Sequence, residues 1–181
     1  SGANVLCEKP VAATLGEVAR MVAARDRAGK LAAVGYQWSF SSAVQDLKRD
    51  IRNGRYGRAR RLRTWVAWPR HSGYYGRNAW AGKIRDAAGR PIFDSPVNNA
   101  TAHYLHNMLY VLGADGADSA ARPVSVAAEL YRANAIENFD AACMRIRTDD
   151  GVEILFYSAH CVERGNRPTF IFEFDHGTVA C

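Results

Sequence analysis

Residues 141–161 read AACMRIRTDDGVEILFYSAHC, a stretch in which two strand-like segments flank a turn. The segments, 141–148 and 152–161, are rich in β-branched and aromatic residues, and the Asp149-Asp150-Gly151 tripeptide between them is typical of a hairpin. Segments of the same kind cover 124–131 and 169–174. Because these strands follow one another without intervening helices, this half of the chain predicts an antiparallel sheet.

The first 36 residues follow a different pattern, strand-helix-strand. We expect a short buried strand at 4–7 and a second strand at 31–36. Between them, Thr14 and Glu17 open a helix with capping-box spacing, and Gly29 ends it. This order is typical of the end of an α/β domain.

The middle of the chain supplies two more helices, a strand and a loop. Ser42 and Gln45 repeat the capping-box spacing before a second helix, and alternating apolar residues predict a strand at 59–68. Residues 69–98 are rich in glycine, proline and aromatic side chains and predict a long functional loop, followed by a third helix at 99–112. Together the segments predict an α+β fold: an open, predominantly antiparallel sheet with helices on one face, preceded by a β-α-β unit.

One face of this sheet is left open by the predicted helices. We expect it to carry the apolar residues Val126, Met144, Ile146 and Phe156, and a surface of that kind favours association. The sequence therefore predicts a homo-oligomer in which sheet faces pair between chains.

Composition and charge exclude several classes of protein. With 48% hydrophobic and 23% charged residues in 181, the chain is typical of a globular domain, and its four cysteines form no metal or disulfide pattern. No apolar run approaches the ~20 residues that span a bilayer and no signal-peptide pattern is present, so we expect a cytoplasmic protein without a membrane partner. Much of the net charge of +6 lies at 52–63, which lacks a nucleic-acid motif and indicates a solvated surface.

The third helix carries a polar stripe when its residues are spaced at about 100°. Its members are Asn99, His103, His106, Asn107 and Tyr110. The stripe is either a solvent-exposed face or a site of acid–base chemistry, since a histidine of pKa ~6.5 exchanges protons near neutral pH. A metal site is disfavoured, because the two histidines are three residues apart and no carboxylate shares the stripe.

A partner for such a histidine is Lys9, which lies in Glu8-Lys9-Pro10 at the end of the first strand. Burial there would lower the pKa of the ammonium and let it share a proton with a substrate hydroxyl. The alternative is that Glu8 and Lys9 are only the polar residues that end a strand.

These elements, in this order, resemble the Gfo/Idh/MocA oxidoreductases. The resemblance rests on Glu8-Lys9-Pro10, on Gly35-Tyr36-Gln37-Trp38-Ser39-Phe40 after the second strand, on Gly54-Arg55-Tyr56-Gly57 before the first long strand, and on the helix that carries His103. Each motif is short, but the ordered set covers nearly the whole chain.

In that family an N-terminal Rossmann domain binds the nicotinamide cofactor. The resemblance implies that residues 1–36 are the end of that domain and that 37–181 form a substrate-binding and oligomerisation domain, truncated at its C-terminus. It implies NAD or NADP as the cofactor of the full-length parent, with Glu8, Lys9 and Pro10 beside it. Since the chain has no GxGxxG, we expect this chain alone to bind the cofactor weakly and to be inactive.

By the same resemblance, Lys9 contacts the substrate hydroxyl and His103 is the general base. The chain departs from the family at Asn99, where an aspartate is common, and an amide cannot take a proton. Either Asn99 binds substrate and His103 works alone, or the chemistry differs. Asp94, just before the helix, is the candidate substitute carboxylate.

The remaining substrate contacts are assigned to Tyr36 and to the long loop. In the loop, Tyr75 and Trp80 offer flat apolar faces to a sugar ring, and Arg70 and Arg77 suit a carboxylate or a phosphate. A subunit contact is the alternative role for this loop.

The sequence thus predicts an NAD(P)-dependent oxidoreductase that interconverts a hydroxyl and a carbonyl on a sugar, polyol or related small molecule. Two alternatives stay open. One is a non-catalytic sugar-binding or oligomerisation module of the same fold, for which Asn99 is the argument. The other is an NAD-assisted glycoside hydrolase, which rests on analogy of fold alone.

Overall fold

The computed structural model of the protein describes residues 2–181 as a small two-stranded sheet and a six-stranded sheet with its helices. Two short helices are left unnumbered, a 3₁₀-helix at Gln37–Phe40 and a π-helix at Pro96–Ala100. The numbered elements are β1 Val5–Cys7, α1 Leu15–Ala28, β2 Ala32–Val34, α2 Ser42–Arg52, β3 Ala59–Ala67, α3 Ser72–Tyr75, α4 Ala102–Val111, β4 Pro123–Tyr131, β5 Ala141–Thr148, β6 Glu153–Ala159, β7 Thr169–Phe174 and β8 Gly177–Ala180.

The small sheet consists of β1 and β2, which are parallel and are connected by α1. The predicted capping box of α1 is present, since the Thr14 hydroxyl accepts from the Glu17 amide and the Glu17 carboxylate accepts from the Thr14 amide. Gly29 ends the helix in the left-handed conformation. The prediction of a buried first strand was wrong, because Leu6 is 79% exposed and α1 has no buried residue.

The large sheet has the strand order β4-β5-β6-β3-β7-β8. Its central pair, β3 and β6, is parallel, and the other neighbours are antiparallel. The β5–β6 hairpin turns at Gly151, whose φ of 85° favours glycine. This confirms the predicted fold class, a predominantly antiparallel sheet preceded by a β-α-β unit.

The core lies between one face of the large sheet and the helices α2 and α4. Leu62 of β3, Ile154 and Phe156 of β6 and Met108 of α4 are fully buried. Burying each such side chain stabilises the fold by roughly 1.5–3 kcal/mol. This packing fixes α4, and therefore His103, against the sheet.

Strand register shows that the open face of the sheet differs from the predicted one. Val126 pairs with Ile146, and Met144 pairs with Phe156, so all four lie on the face toward the helices. Ile146 and Phe156 are buried there, while Val126 is exposed because β4 is an edge strand. The prediction that these residues form the open face was therefore wrong.

Two helix starts also differ from the predictions. Ser41, not Ser42, is the N-cap of α2, and Gln45 donates its side-chain amide to the Ser39 carbonyl and the Tyr110 hydroxyl. The third helix begins with the π-helical turn 96–100 before α4. Asn99 lies in that turn and thus outside the regular spacing assumed for the polar stripe.

The polar stripe is not a solvent-exposed face. His103, Asn107 and Tyr110 are buried, because the 3₁₀-helix and α2 pack against this side of α4. Within the described residues, all four cysteines are free and none of the helices is long and apolar enough to cross a membrane.

Candidate active site

Three side chains from separate parts of the sequence form a hydrogen-bonded chain. Lys9 Nζ donates to Asn99 Oδ1 at 3.0 Å and to the Asn99 main-chain oxygen at 2.5 Å. Asn99 Nδ2 donates to Asp94 Oδ1 at 2.7 Å, and Asp94 Oδ2 accepts from the Gly82 amide at 2.7 Å. The Asn99 amide therefore directs its oxygen to an ammonium and its nitrogen to a carboxylate.

Irregular backbone positions this chain of residues. Lys9 follows β1 and precedes a cis peptide bond to Pro10. Asn99 lies in the π-helix, a form that is rare and frequent at functional sites. Phe93, directly before Asp94, has a φ of 54°, and such a left-handed non-glycine residue costs roughly 1–3 kcal/mol. The fold therefore tolerates local strain next to Asp94.

Two aromatic side chains hold the imidazole of His103. Trp38 stacks on it, with ring centres 5.4 Å apart and planes at 16°. Tyr36 contacts it edge-on at 5.7 Å. The ring is 8% exposed, and its Nδ1 is buried with no hydrogen-bond partner among residues 2–181.

Burial and charge set the protonation of the two candidate catalytic groups. Burial lowers the pKa of His103, the positive charge of Lys9 lowers it further, and Glu8 opposes both. Burial also lowers the pKa of Lys9, against the opposing charges of Glu8 and Asp94. The structure therefore combines an imidazole that is neutral at neutral pH with a partly desolvated amine that acts on it electrostatically.

His106, the second histidine of the stripe, has a supporting position. Its ring stacks on Tyr36 with centres 4.0 Å apart and planes at 1°. Ser39 Oγ lies 2.8 Å from His106 Nδ1 and donates to Asn107 Oδ1 at 2.8 Å, so His106 Nδ1 is the donor to Ser39. Burial lowers the pKa of His106 to about 4. His106 is therefore a neutral group that holds Tyr36 against His103.

The predicted loop residues form a second cluster beside the first. The Arg70 and Arg77 guanidiniums lie 4.8 and 3.8 Å from the centre of the Tyr74 ring, and Arg77 is also 5.4 Å from that of Trp80. The Tyr75 hydroxyl is 3.5 Å from His160 Nδ1.

The two clusters meet at Gly82. Its amide binds Asp94, and a Cβ at this position would come within 3.0 Å of the Tyr75 ring. The charges of Asp140 and Asp94 add to burial in raising the pKa of Tyr75. Of the predicted loop residues, Tyr75 therefore lies next to the Lys9-Asn99-Asp94 chain.

Trp38, His160 and Asp140 are site residues that sequence reasoning missed. Trp38 was visible only as part of the motif after the second strand. His160 follows the last residue of β6, where it carries no motif of its own. Asp140 is fully buried and accepts hydrogen bonds from the Ala133 and Asn134 amides, a contact that only tertiary structure reveals.

The edge that bears Lys9 is the end of the small parallel sheet. Glu8 and Lys9 follow β1, and Gly35 and Tyr36 follow β2, so both pairs leave the sheet at the end where ligands bind in open α/β sheets. A Cβ at Gly35 would lie 3.3 Å from the Glu8 carboxylate, so glycine lets that carboxylate pack against the backbone. Glu8, Lys9 and Pro10, the predicted cofactor contacts, lie together at this end of the sheet.

The fold defines a class. It is that of the C-terminal half of Gfo/Idh/MocA-type dehydrogenases, which confirms the resemblance predicted from the sequence. The WlbA dehydrogenase of Bordetella pertussis, in complex with NADH and UDP-GlcNAcA, is 26% identical with a TM-score of 0.84. That of Chromobactrium violaceum, with the same two ligands, is 24% identical with a TM-score of 0.83.

Each of these two structures matches 99% of this chain but 48% of its own length, so the chain spans about half of them. A curated relative, the 1-carboxy-3-chloro-3,4-dihydroxycyclohexa-1,5-diene dehydrogenase of Comamonas testosteroni, is 47% identical over 60 residues. That match covers 33% of this chain and 15% of the relative. No protein-family model matches the chain.

Proposed function

We propose that this chain is the substrate-binding and acid–base part of a nicotinamide-dependent oxidoreductase that interconverts a hydroxyl and a carbonyl on a sugar, polyol or related small molecule. One observation carries the proposal: Lys9 is hydrogen-bonded to Asn99 and its charge acts on His103, although the chain separates Lys9 and His103 by 94 positions. Dehydrogenases are also the proteins that share the fold.

His103 is the proposed general base for oxidation of the alcohol. Because burial and Lys9 lower its pKa, the imidazole is unprotonated at neutral pH and can accept the hydroxyl proton. The substrate carbon then loses its hydrogen together with the bonding electron pair, and the C–O bond becomes a carbonyl. A nicotinamide ring bound at the Glu8-Lys9-Pro10 edge would supply the hydride acceptor.

Lys9 is proposed to bind the same substrate oxygen. Its ammonium makes two hydrogen bonds to Asn99 and has three protons, so one donor remains for a substrate oxygen. Asn99 and Asp94 orient the amine, and their polar atoms also provide contacts for neighbouring hydroxyls. Within this proposal Asp94 keeps the negative charge of the site although position 99 is an amide.

The remaining predicted substrate contacts are Tyr36, Arg70, Tyr75, Arg77 and Trp80. Tyr36 borders His103, and Tyr75 borders Asp94 through Gly82. Arg70 and Arg77 stack on the neighbouring Tyr74, and Trp80 lies at Arg77. A small-molecule substrate is supported by the UDP-GlcNAcA held in the two WlbA dehydrogenase structures. We also propose that residues 1–36 belong to the cofactor domain of a longer protein and 37–181 to its substrate domain, and that the chain alone binds NAD or NADP weakly.

The test is turnover in a protein that joins this chain to the dinucleotide-binding half of a matched dehydrogenase. NADH and NADPH formation is followed with a panel of neutral sugars and polyols for wild type, Lys9→Met and His103→Asn. We expect both variants to lose about 10²–10⁴-fold in kcat/KM, the usual contribution of acid–base groups. Lys30→Met and His176→Asn, which change exposed residues, are the matched controls.

Substrate binding is measured on the same proteins by calorimetry. Turnover that falls in the Lys9 and His103 variants alone supports the oxidoreductase. Absence of turnover with every compound, together with sugar binding that survives both changes, would instead identify a binding module.

A further inference from the structure

The segment after β3 holds two arginines on one aromatic ring. Tyr74 has the Arg70 guanidinium 4.8 Å from its ring centre and that of Arg77 at 3.8 Å. The Arg70 guanidinium also lies 5.9 Å from the ring centre of Trp68, and the Arg77 guanidinium lies 5.4 Å from that of Trp80. Such stacking holds a guanidinium plane. Arg70 donates one N–H to the Pro69 carbonyl and Arg77 one to the Tyr74 hydroxyl, each at 3.0 Å, and the other N–H groups stay available for a planar acceptor.

Within residues 2–181, neither arginine forms an ion pair. The acids nearby bind other groups. Asp140 accepts hydrogen bonds from the Ala133 and Asn134 amides, and Glu137 pairs with Lys83 at 2.8 Å. The two positive charges are therefore left without a counter-charge from the described chain.

Two buried polar atoms in this cluster also lack partners among the described residues. They are Arg70 Nε and His160 Nε2, and His160 is only 3% exposed. Burial, and after it the charge of Arg70, lowers the pKa of His160 to about 4, so the ring is neutral at neutral pH. Buried polar groups in proteins nearly always have a partner, and a bound ligand or water normally supplies one that the chain does not.

Packed side chains connect the cluster to the proposed catalytic groups on two sides. Trp68, under Arg70, contacts Tyr104 at 5.6 Å, and Tyr104 contacts the Trp38 that stacks on His103. On the other side, Tyr75 packs at Gly82, whose amide binds Asp94. Through Tyr75 and Gly82 the cluster therefore lies next to Asp94, whereas its connection to His103 runs through the buried ring of Tyr104.

From this arrangement we infer that Arg70 and Arg77, with the neighbouring His160, form an anion subsite that binds a carboxylate or phosphate group of the substrate. The inference rests on the proposed function and adds the substrate class, an acidic sugar or polyol derivative. Guanidinium forks suit both oxyanions, since each offers two oxygens to parallel N–H donors.

The test compares three sugars that differ only in this group: glucuronate, glucose 6-phosphate and glucose. Each is titrated into the complete 181-residue chain and binding is followed by NMR chemical shifts. We expect one of the two acids to bind about tenfold more tightly than glucose, the gain typical of charge-assisted hydrogen bonds. The tighter acid distinguishes carboxylate from phosphate.

Variants of the two arginines test whether the preference for the acidic sugar arises at this subsite. Arg70→Gln and Arg77→Gln should each remove most of the preference for the acid over glucose. Arg70→Lys should restore only part of it, because an ammonium keeps the charge but lacks the planar fork. Arg85→Gln is the matched control, since Arg85 is an exposed arginine of the same segment that bonds to the Gly89 carbonyl.

Equal affinity for the three sugars, binding of none of them, or an acid preference that survives both glutamine variants would overturn the subsite. Those results leave the proposed oxidation intact, because its own test follows turnover of neutral compounds in Lys9 and His103 variants. Absence of turnover in the wild-type joined protein, together with an intact acid preference, would count against the proposed function alone.

Discussion

At the scale of single residues, the amide of Asn99 depends on Asp94. An asparagine side chain has two orientations, and here a carboxylate 2.7 Å from Nδ2 selects the one that directs Oδ1 to Lys9. A carboxylate five residues before the amide thus supplies the charge that the sequence lacks at position 99. Neither residue alone would give Lys9 both an acceptor and a negative neighbour.

Replacement of Asp94 should therefore change Lys9. In Asp94→Asn the negative charge that raises the Lys9 pKa is lost, and we expect that pKa to fall further below its ordinary value. The side-chain carbon signals of Lys9 in an NMR pH titration measure this. Asp86→Asn changes a half-buried carboxylate of the same loop that pairs with Arg90, and it should leave the Lys9 pKa unchanged. An unchanged Lys9 pKa in Asp94→Asn as well would contradict the account.

His103 gives a prediction for the pH dependence of alcohol oxidation. The base must be neutral, and burial and Lys9 lower its pKa, so activity should persist as the pH falls below the ordinary histidine value of ~6.5 and be lost only at more acidic pH. The kcat/KM profile of the joined protein described above measures this. In Lys9→Met the acidic limb should shift upward, whereas a wild-type limb at or above ~6.5 would be inconsistent with a buried base.

At the scale of elements, local patterns predicted most strands and the first helix. Alternation along β3 and the Thr14–Glu17 capping box are properties of a few neighbouring residues, so the sequence contains them in full. The start of the third helix was missed because its π-helical turn is accompanied by contacts of Asn99 with Lys9 and Asp94. The residues on each face of the large sheet were also predicted wrongly, because strand register depends on the partner strands and not on neighbouring residues.

The C-terminal end of α4 depends on a buried lysine. Lys48 of α2 is 3% exposed and donates to the Tyr110 carbonyl at 2.8 Å and to the Ser119 carbonyl. Lys48→Met should leave both oxygens without this donor, and we expect a loss of about 1–3 kcal/mol in the free energy of unfolding. Urea denaturation measures it, with the exposed Lys30→Met as control. Equal stability of the two variants would show that the contacts contribute nothing net.

At the scale of the whole molecule, the open face of the large sheet remains the proposed surface for pairing between chains. Register places Trp65 beside Tyr157 on this face, 36% and 37% exposed, in place of the residues predicted from the sequence. Adjacent aromatic side chains are favoured in protein interfaces. The sequence predicted that one face is open, but the identity of its residues followed only from the register.

Association of chains is therefore expected to depend on Trp65. Trp65→Lys should convert the wild-type oligomer into a monomer, because it replaces an aromatic side chain of the proposed contact by a charge. Val126→Lys changes an exposed apolar residue on the opposite face of the sheet and should leave the oligomer intact. Light scattering coupled to gel filtration measures the mass, and a wild-type monomer at high concentration would rule out this surface as an oligomer contact.

Lys9 and His103 lie at the two ends of the proposed site and must share one electrostatic environment if they act on the same substrate oxygen. The most direct measurement is the pKa of His103 by NMR in wild type and in Lys9→Met, with Lys30→Met as control. Removing a positive neighbour should raise the pKa of His103 relative to wild type, because that charge now lowers it. An identical His103 pKa in all three proteins would contradict the claim and leave the proposed chemistry without a site.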